Sequence, residues 1–129
     1  MPDYKVIPNP TDFHPFSLAA AGDEFVFITG LGGHDESGGI SDDVAAQARQ
    51  AITNMEGLLT SVGSSLSEIV YFRPMVTKRE YAFEMDAVFR EMLPDPKPAC
   101  AALLICELAD PRMKMEIEAI AQRGARLSV

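Results

Sequence analysis

Lys114-Met115-Glu116-Ile117-Glu118-Ala119-Ile120-Ala121-Gln122 alternates with a period of two. Met115, Ile117, Ala119 and Ala121 share one side of an extended chain, and Glu116, Glu118, Ile120 and Gln122 share the other, so the stretch predicts a strand with one face on a core. Working outward, Ala99 to Leu108 is apolar on both alternating faces, as in a strand covered on both sides, and Ala109-Asp110-Pro111-Arg112 turns the chain between the two. Upstream, Lys78-Arg79-Glu80 opens a helix carrying apolar Phe83, Ala87, Val88, Met92 and Leu93, ended by Pro94-Asp95-Pro96. Ile69 to Thr77 reads as a strand whose ladder is broken or edge-like at Pro74, because proline donates no hydrogen bond.

Further out, Val44, Ala48, Ala51, Ile52, Met55, Leu58, Leu59 and Val62 recur at three and four, the spacing of an amphipathic helix, with Ser41-Asp42-Asp43 offering caps before it and Gly63 after it. Leu18 to Ala21 and Glu24 to Thr29 flank Gly22-Asp23 as a hairpin, and Tyr4 to Ile7 is a short opening strand stopped by Pro8. The order β-β-β-α-β-α-β-β predicts an α+β fold, a mixed sheet with two helices packed on one face.

The chain has 129 residues, 47% hydrophobic and 23% charged, which predicts a single domain over 1–129 with enough apolar surface to fold. The uninterrupted apolar stretch from Ala99 to Cys106 is far shorter than the roughly 20 residues of a membrane-spanning helix. Met1-Pro2-Asp3-Tyr4-Lys5 shows no basic head before an apolar run, so no signal peptide is expected and the expected location is cytoplasmic. A formal net charge of −8 argues against nucleic acid and anionic membranes as partners, since both recruit cations. Cys100 and Cys106 are too few for a disulfide framework and, in one strand, would stand roughly 20 Å apart, too far for a bond.

Gly30-Leu31-Gly32-Gly33 lacks the glycine spacing and the Gly-Lys-Ser/Thr of phosphate loops and reads as a loop leaving a strand. His14 and His34, the two histidines, have no cysteine or carboxylate at zinc-like spacing, and both read as turn or loop surface; neither a metal nor a cofactor is expected. Glu116 and Glu118 project from one strand face about 7 Å apart. They are either a solvated sheet face or, against apolar walls, a pair in which one carboxyl gains proton affinity and serves as general acid or base. Cys100 has no basic neighbour in sequence to activate its thiol and reads as a buried, inert side chain rather than a nucleophile.

Together, Phe25-Val26-Phe27-Ile28-Thr29-Gly30, Gln47-Ala48-Arg49-Gln50-Ala51-Ile52-Thr53-Asn54-Met55, Gly63-Ser64-Ser65-Leu66, Lys97-Pro98-Ala99 and Glu116-Ile117-Glu118-Ala119-Ile120-Ala121 resemble the RidA/YjgF family of imine and enamine deaminases. The resemblance implies a chorismate-mutase-like α+β fold, a homotrimer and small-molecule clefts at subunit interfaces. Members of the RidA type hydrolyse reactive imines or enamines, such as 2-aminoacrylate, to a carbonyl compound and ammonia. Glu116 matches the family's water-handling glutamate, and Ser17 and Gly30 match residues lining the cleft. Cys100 stands where the family has an arginine for the substrate carboxylate, and a thiol supplies neither its charge nor its fork. Phe16 stands where many members have tyrosine, and the turn Ala109 to Met113 carries one additional residue. The implied function is a divergent imine or enamine hydrolase with Glu116 handling water, and Cys100, Phe16, Ser17 and Gly30 lining the pocket. Arg73 or Arg112 is a candidate replacement cation. One alternative is a trimeric small-molecule-binding protein without turnover, Cys100 being a ligand contact or redox-sensitive thiol; another, the ribonuclease activity attached to the family, is opposed by the negative charge.

Overall fold

The strand read from Lys114 to Gln122 lies inside the sheet. In a computed structural model, which describes residues 1–11 and 14–129, it forms β7 (Met115–Gln122) between β3 (Phe25–Leu31) and β4 (Ile69–Val76), antiparallel to both. The hairpin strand β2 (Ala19–Ala21) pairs with β3, and β1 (Lys5–Ile7) pairs with β2 at one edge. At the other edge β5 (Ala99–Cys100) and β6 (Leu104–Ile105) run parallel to β4. Two helices complete the layer, α1 (Val44–Ser61) between β3 and β4, and α2 (Ala82–Met92) between β4 and β5. The mixed sheet with two helices agrees with the α+β expectation.

The core is built from the inward faces of β3, β4 and β7 against both helices. Val26, Ile28, Ile69, Phe72, Val76, Met115 and Ile117 meet Ala48, Ile52, Met55 and Leu59 of α1 and Met85 and Val88 of α2. The Asp43 carboxylate caps α1, accepting from the Ala46 N–H at 2.9 Å. Pro74 interrupts the outer ladder as expected, because β5 pairs with Tyr71 and Phe72, β6 pairs with Met75 and Val76, and Arg73 and Pro74 fall between them.

Two expectations need correction. Ala99 to Leu108 is not one strand covered on both sides: it breaks into β5 and β6 around Ala102, which has φ +67, and it lies at the sheet edge with Leu104 and Ile105 exposed. An apolar run at an edge carries the same periodic signal as one in the middle of a sheet, so sequence does not separate the two. The inward face of α2 is Met85, Val88 and Phe89, whereas Phe83 is 88% exposed and Ala87 also faces out. Both stripes have helical spacing, and the edge-on contact of Phe89 with Phe72, ring centroids 4.9 Å apart, selects the buried one.

Candidate active site

Alternation along β7 sends Glu116 and Glu118 to the sheet face opposite the helices. Beside them β3 changes register between Ile28 and Leu31, a bulge that brings Gly30 against the Glu116 side chain. A Cβ at Gly30 would stand 2.6 Å from Glu116 Oε1, so only glycine leaves room for the carboxylate. Burial raises the proton affinity of Glu116, the Glu118 charge raises it further, and His34 opposes both. Glu118 is ion-paired with Arg73, its cross-strand partner on β4, while Arg73 Nε is buried without a hydrogen-bond partner.

The loop after β3 is fastened from below by α1. The Asn54 amide donates to the carbonyls of Gly32 (3.1 Å) and His34 (2.8 Å). Gln47 is fully buried; its amide donates to the Ser41 carbonyl (2.7 Å) and the Arg112 carbonyl (3.0 Å), and its oxygen accepts from the Lys114 N–H (2.8 Å). One side chain thus joins the loop, the 109–113 turn and the start of β7. The turn reaches the loop directly as well, since Asp110 Oδ2 lies 3.0 Å from His34 Nε2 and accepts from Arg112 Nη2 at 2.8 Å. The Arg112 fork first, and His34 second, hold the Asp110 carboxyl well below the usual carboxylate range.

These contacts decide which expected site residues meet. Glu116 and Gly30 do. Ser17 lines a cavity of about 360 Å³ on the same sheet face, together with Phe27, Thr29, Tyr71, Glu118 and Ile120. Phe16 is 48% exposed and its ring lies 5.1 Å from that of His14. Cys100 lies elsewhere, at a cavity of about 190 Å³ between α2 and β5 whose walls include Phe72, Asp86, Phe89, Arg90 and Lys97 but not Glu116. It is exposed, as is Cys106, so the expectation of a buried thiol is corrected: its strand is an edge, not a centre. His34 is not plain loop surface either, being half-buried and held by Asp110.

Sequence reading missed the fastening residues Gln47 and Asn54. A signal for Gln47 was present, a polar residue on the apolar stripe of α1 between Val44 and Ala48, where a side chain needs internal partners. Among the described residues no group of three or more His, Cys, Asp and Glu could hold a metal ion, and no helix is long and apolar enough to cross a membrane.

A family profile described as endoribonuclease L-PSP matches residues 7–123. The chain belongs to this family, also known as RidA/YjgF. A RidA/YjgF relative, the mitochondrial protein mmf1 of Schizosaccharomyces pombe, is 38% identical over 84 residues, 64% of this chain and 52% of mmf1, so the match spans about half of that protein. The human 2-iminobutanoate/2-iminopropanoate deaminase is 29% identical over 85% of this chain and 81% of its own length. Among solved structures, RidA from an Antarctic Psychrobacter superposes with a TM-score of 0.83 at 26% identity, covering 92% of this chain and 98% of that one. The RidA/YjgF fold is therefore this chain's fold, with Glu116 on the sheet face left open by the helices.

Proposed function

We propose that this protein hydrolyses a small imine or enamine to a carbonyl compound and ammonia, with Glu116 handling the water. The observation that carries the reading is the Glu116 carboxyl itself, half-buried, pressed against Gly30 and raised in proton affinity, as a general base working near neutral pH requires. In this reaction Glu116 takes a proton from water as the oxygen bonds to the imine carbon, and the C=N electron pair moves to nitrogen, which receives that proton back from Glu116 to give a carbinolamine. The Glu116 carboxylate then takes the hydroxyl proton as the carbonyl forms and passes it to the nitrogen, so that the C–N bond breaks and ammonia leaves with the bonding pair. Relatives named as imine deaminases support the reaction class.

The substrate in this reading is neutral or cationic. Arg73 is already paired with Glu118 and Arg112 with Asp110, so the two candidate replacement cations are committed to carboxylates, and Cys100 carries no fixed charge. A carboxylate entering beside Glu116 would meet like charge whenever that carboxyl is ionised, with Glu118 already neutralised by Arg73. We further infer that residues 1–129 act as a single domain in a cytoplasmic homotrimer. Phe27 on the open sheet face and Leu104 and Ile105 at the edge are exposed apolar side chains that assembly would cover. Light scattering that gives a monomer would sink the trimer.

The placement of Cys100 in a separate cavity supports a second reading, a binding protein without turnover. Ammonia release separates the two, measured with carboxylate-bearing and carboxylate-free imines for wild type, Glu116→Ala and Cys100→Arg. Turnover of carboxylate-free imines that vanishes in Glu116→Ala supports the hydrolase. Activity that appears only in Cys100→Arg means a native protein that binds without turning over.

A further inference from the structure

The mechanism above leaves one ordered polar cluster unused, the contact between the glycine-rich loop and the 109–113 turn. We propose that His34 is a positioning residue for Glu116: clamped by Asp110, it holds the Gly30 loop against the carboxylate and sets the charge that the carboxylate faces. The inference deepens the hydrolase reading, and its kinetic arm rests on it.

The geometry is as follows. Within one short segment, a Cβ at Gly30 would lie 2.6 Å from Glu116 Oε1 and a Cβ at Gly32 would lie 3.2 Å from His34 Nδ1, so the two side chains flank the same piece of backbone. Asn54 pins the carbonyls of Gly32 and His34, which fixes that backbone. Asp110 can only accept, so the 3.0 Å contact assigns the hydrogen to His34 Nε2. Arg112 neutralises Asp110, and the Arg112–Asp110–His34 row therefore carries one net positive charge when the imidazole is protonated and none when it is not.

Other charges around Glu116 and His34 are already committed. Glu118, next along β7, is neutralised by Arg73 of β4; Met75, opposite Glu116 on β4, is uncharged. Asp35, beside His34, turns onto its own loop, accepting from the Ser37 hydroxyl and the Ser37 and Gly39 N–H groups. Lys114 Nζ donates to the Asp42 carbonyl and stands 5.3 Å from the Tyr81 ring centroid. Of these groups the His34 imidazole is the one whose charge opposes the raised proton affinity of Glu116.

The test needs no substrate. The Glu116 carboxyl is titrated by carbon-13 NMR, its signal assigned by its loss in Glu116→Gln, in wild type, His34→Gln, His34→Asn and His34→Lys. The expected result is a higher midpoint in whichever neutral variant keeps the wild-type amide spectrum, and a return toward the wild-type midpoint in His34→Lys. Coincident midpoints in wild type and a folded neutral variant would overturn the inference, since a merely structural histidine leaves Glu116 where it was. Two folding neutral replacements of different length guard against one failing to fold. In the kinetic arm the acid limb of kcat/KM moves to higher pH in His34→Gln. Absence of turnover in every protein removes the hydrolase reading, while the titration still judges His34.

Discussion

The Gln47 side-chain oxygen accepts from the Lys114 backbone N–H at 2.8 Å while its amide holds the Arg112 carbonyl at 3.0 Å, so a residue of the first helix brackets the turn that leads into β7. Gln47→Leu should leave both of those turn groups and the Ser41 carbonyl without their partner, a loss of about 2–4 kcal/mol given the size of each orphaned buried polar group. Urea unfolding followed by circular dichroism measures it, and a loss below about 0.5 kcal/mol would mean water replaces the amide.

Gly30 and Gly33 should respond differently to the same methyl group. At Gly30 the added Cβ meets the end of the Glu116 side chain, so Gly30→Ala displaces the carboxylate and lowers imine turnover while the fold survives. At Gly33 it meets the Gln47 backbone at 2.5 Å, which cannot swing away, so Gly33→Ala lowers stability itself. Paired kinetics and thermal melts distinguish the two, and equal melting temperatures for both variants would refute the assignment.

The role proposed for Glu116 carries a cost in stability. Its proton affinity is raised in the fold, so the protonated form is favoured by folding and the ionised form disfavoured: below the unfolded value the group has no net penalty, and the penalty grows as pH rises through the folded value. Glu116→Gln should therefore stabilise the protein near neutral pH and have little effect at pH about 3.5, below the ordinary carboxyl range. Denaturant melts at the two pH values check the sign. The same variant should lower turnover by about 10²–10⁴-fold, the usual contribution of a general base.

Ala102 holds the left-handed conformation at φ +67 between β5 and β6. Ala102→Gly should be neutral to stabilising, by up to about 1 kcal/mol, because glycine enters this region without the Cβ clash. Chemical denaturation reads it directly; a clear destabilisation would show that the Cβ makes contacts worth more than the strain.

Most of the fold was legible because its period was: the alternation of β7, the α1 stripe and the hairpin around Gly22-Asp23 all reappear where their spacing put them. Pro74 was legible too, since a missing donor has one consequence wherever the strand lies. What could not be read was position in three dimensions. Ala99 to Leu108 has the composition of a covered strand, and whether neighbours cover it is decided by the rest of the sheet. In the candidate site the pairing of Glu116 with Gly30 followed from the resemblance, whereas the contact of His34 with Asp110 joins residues 76 apart in sequence, and no local pattern announces it. Gln47 announced itself only as a polar residue in an apolar row.

The divided edge of the sheet bears on how this chain meets others. A long, flat, apolar edge invites strands from further copies to add without limit. Here the edge of β4 is already taken by β5 and β6, and an incoming strand meets only these two pieces of two residues each, separated opposite Pro74 and turned aside at Ala102, so its backbone cannot zip along a continuous edge. Leu104 and Ile105 stay exposed on β6, so what this edge offers another chain is side chains rather than a run of free backbone groups.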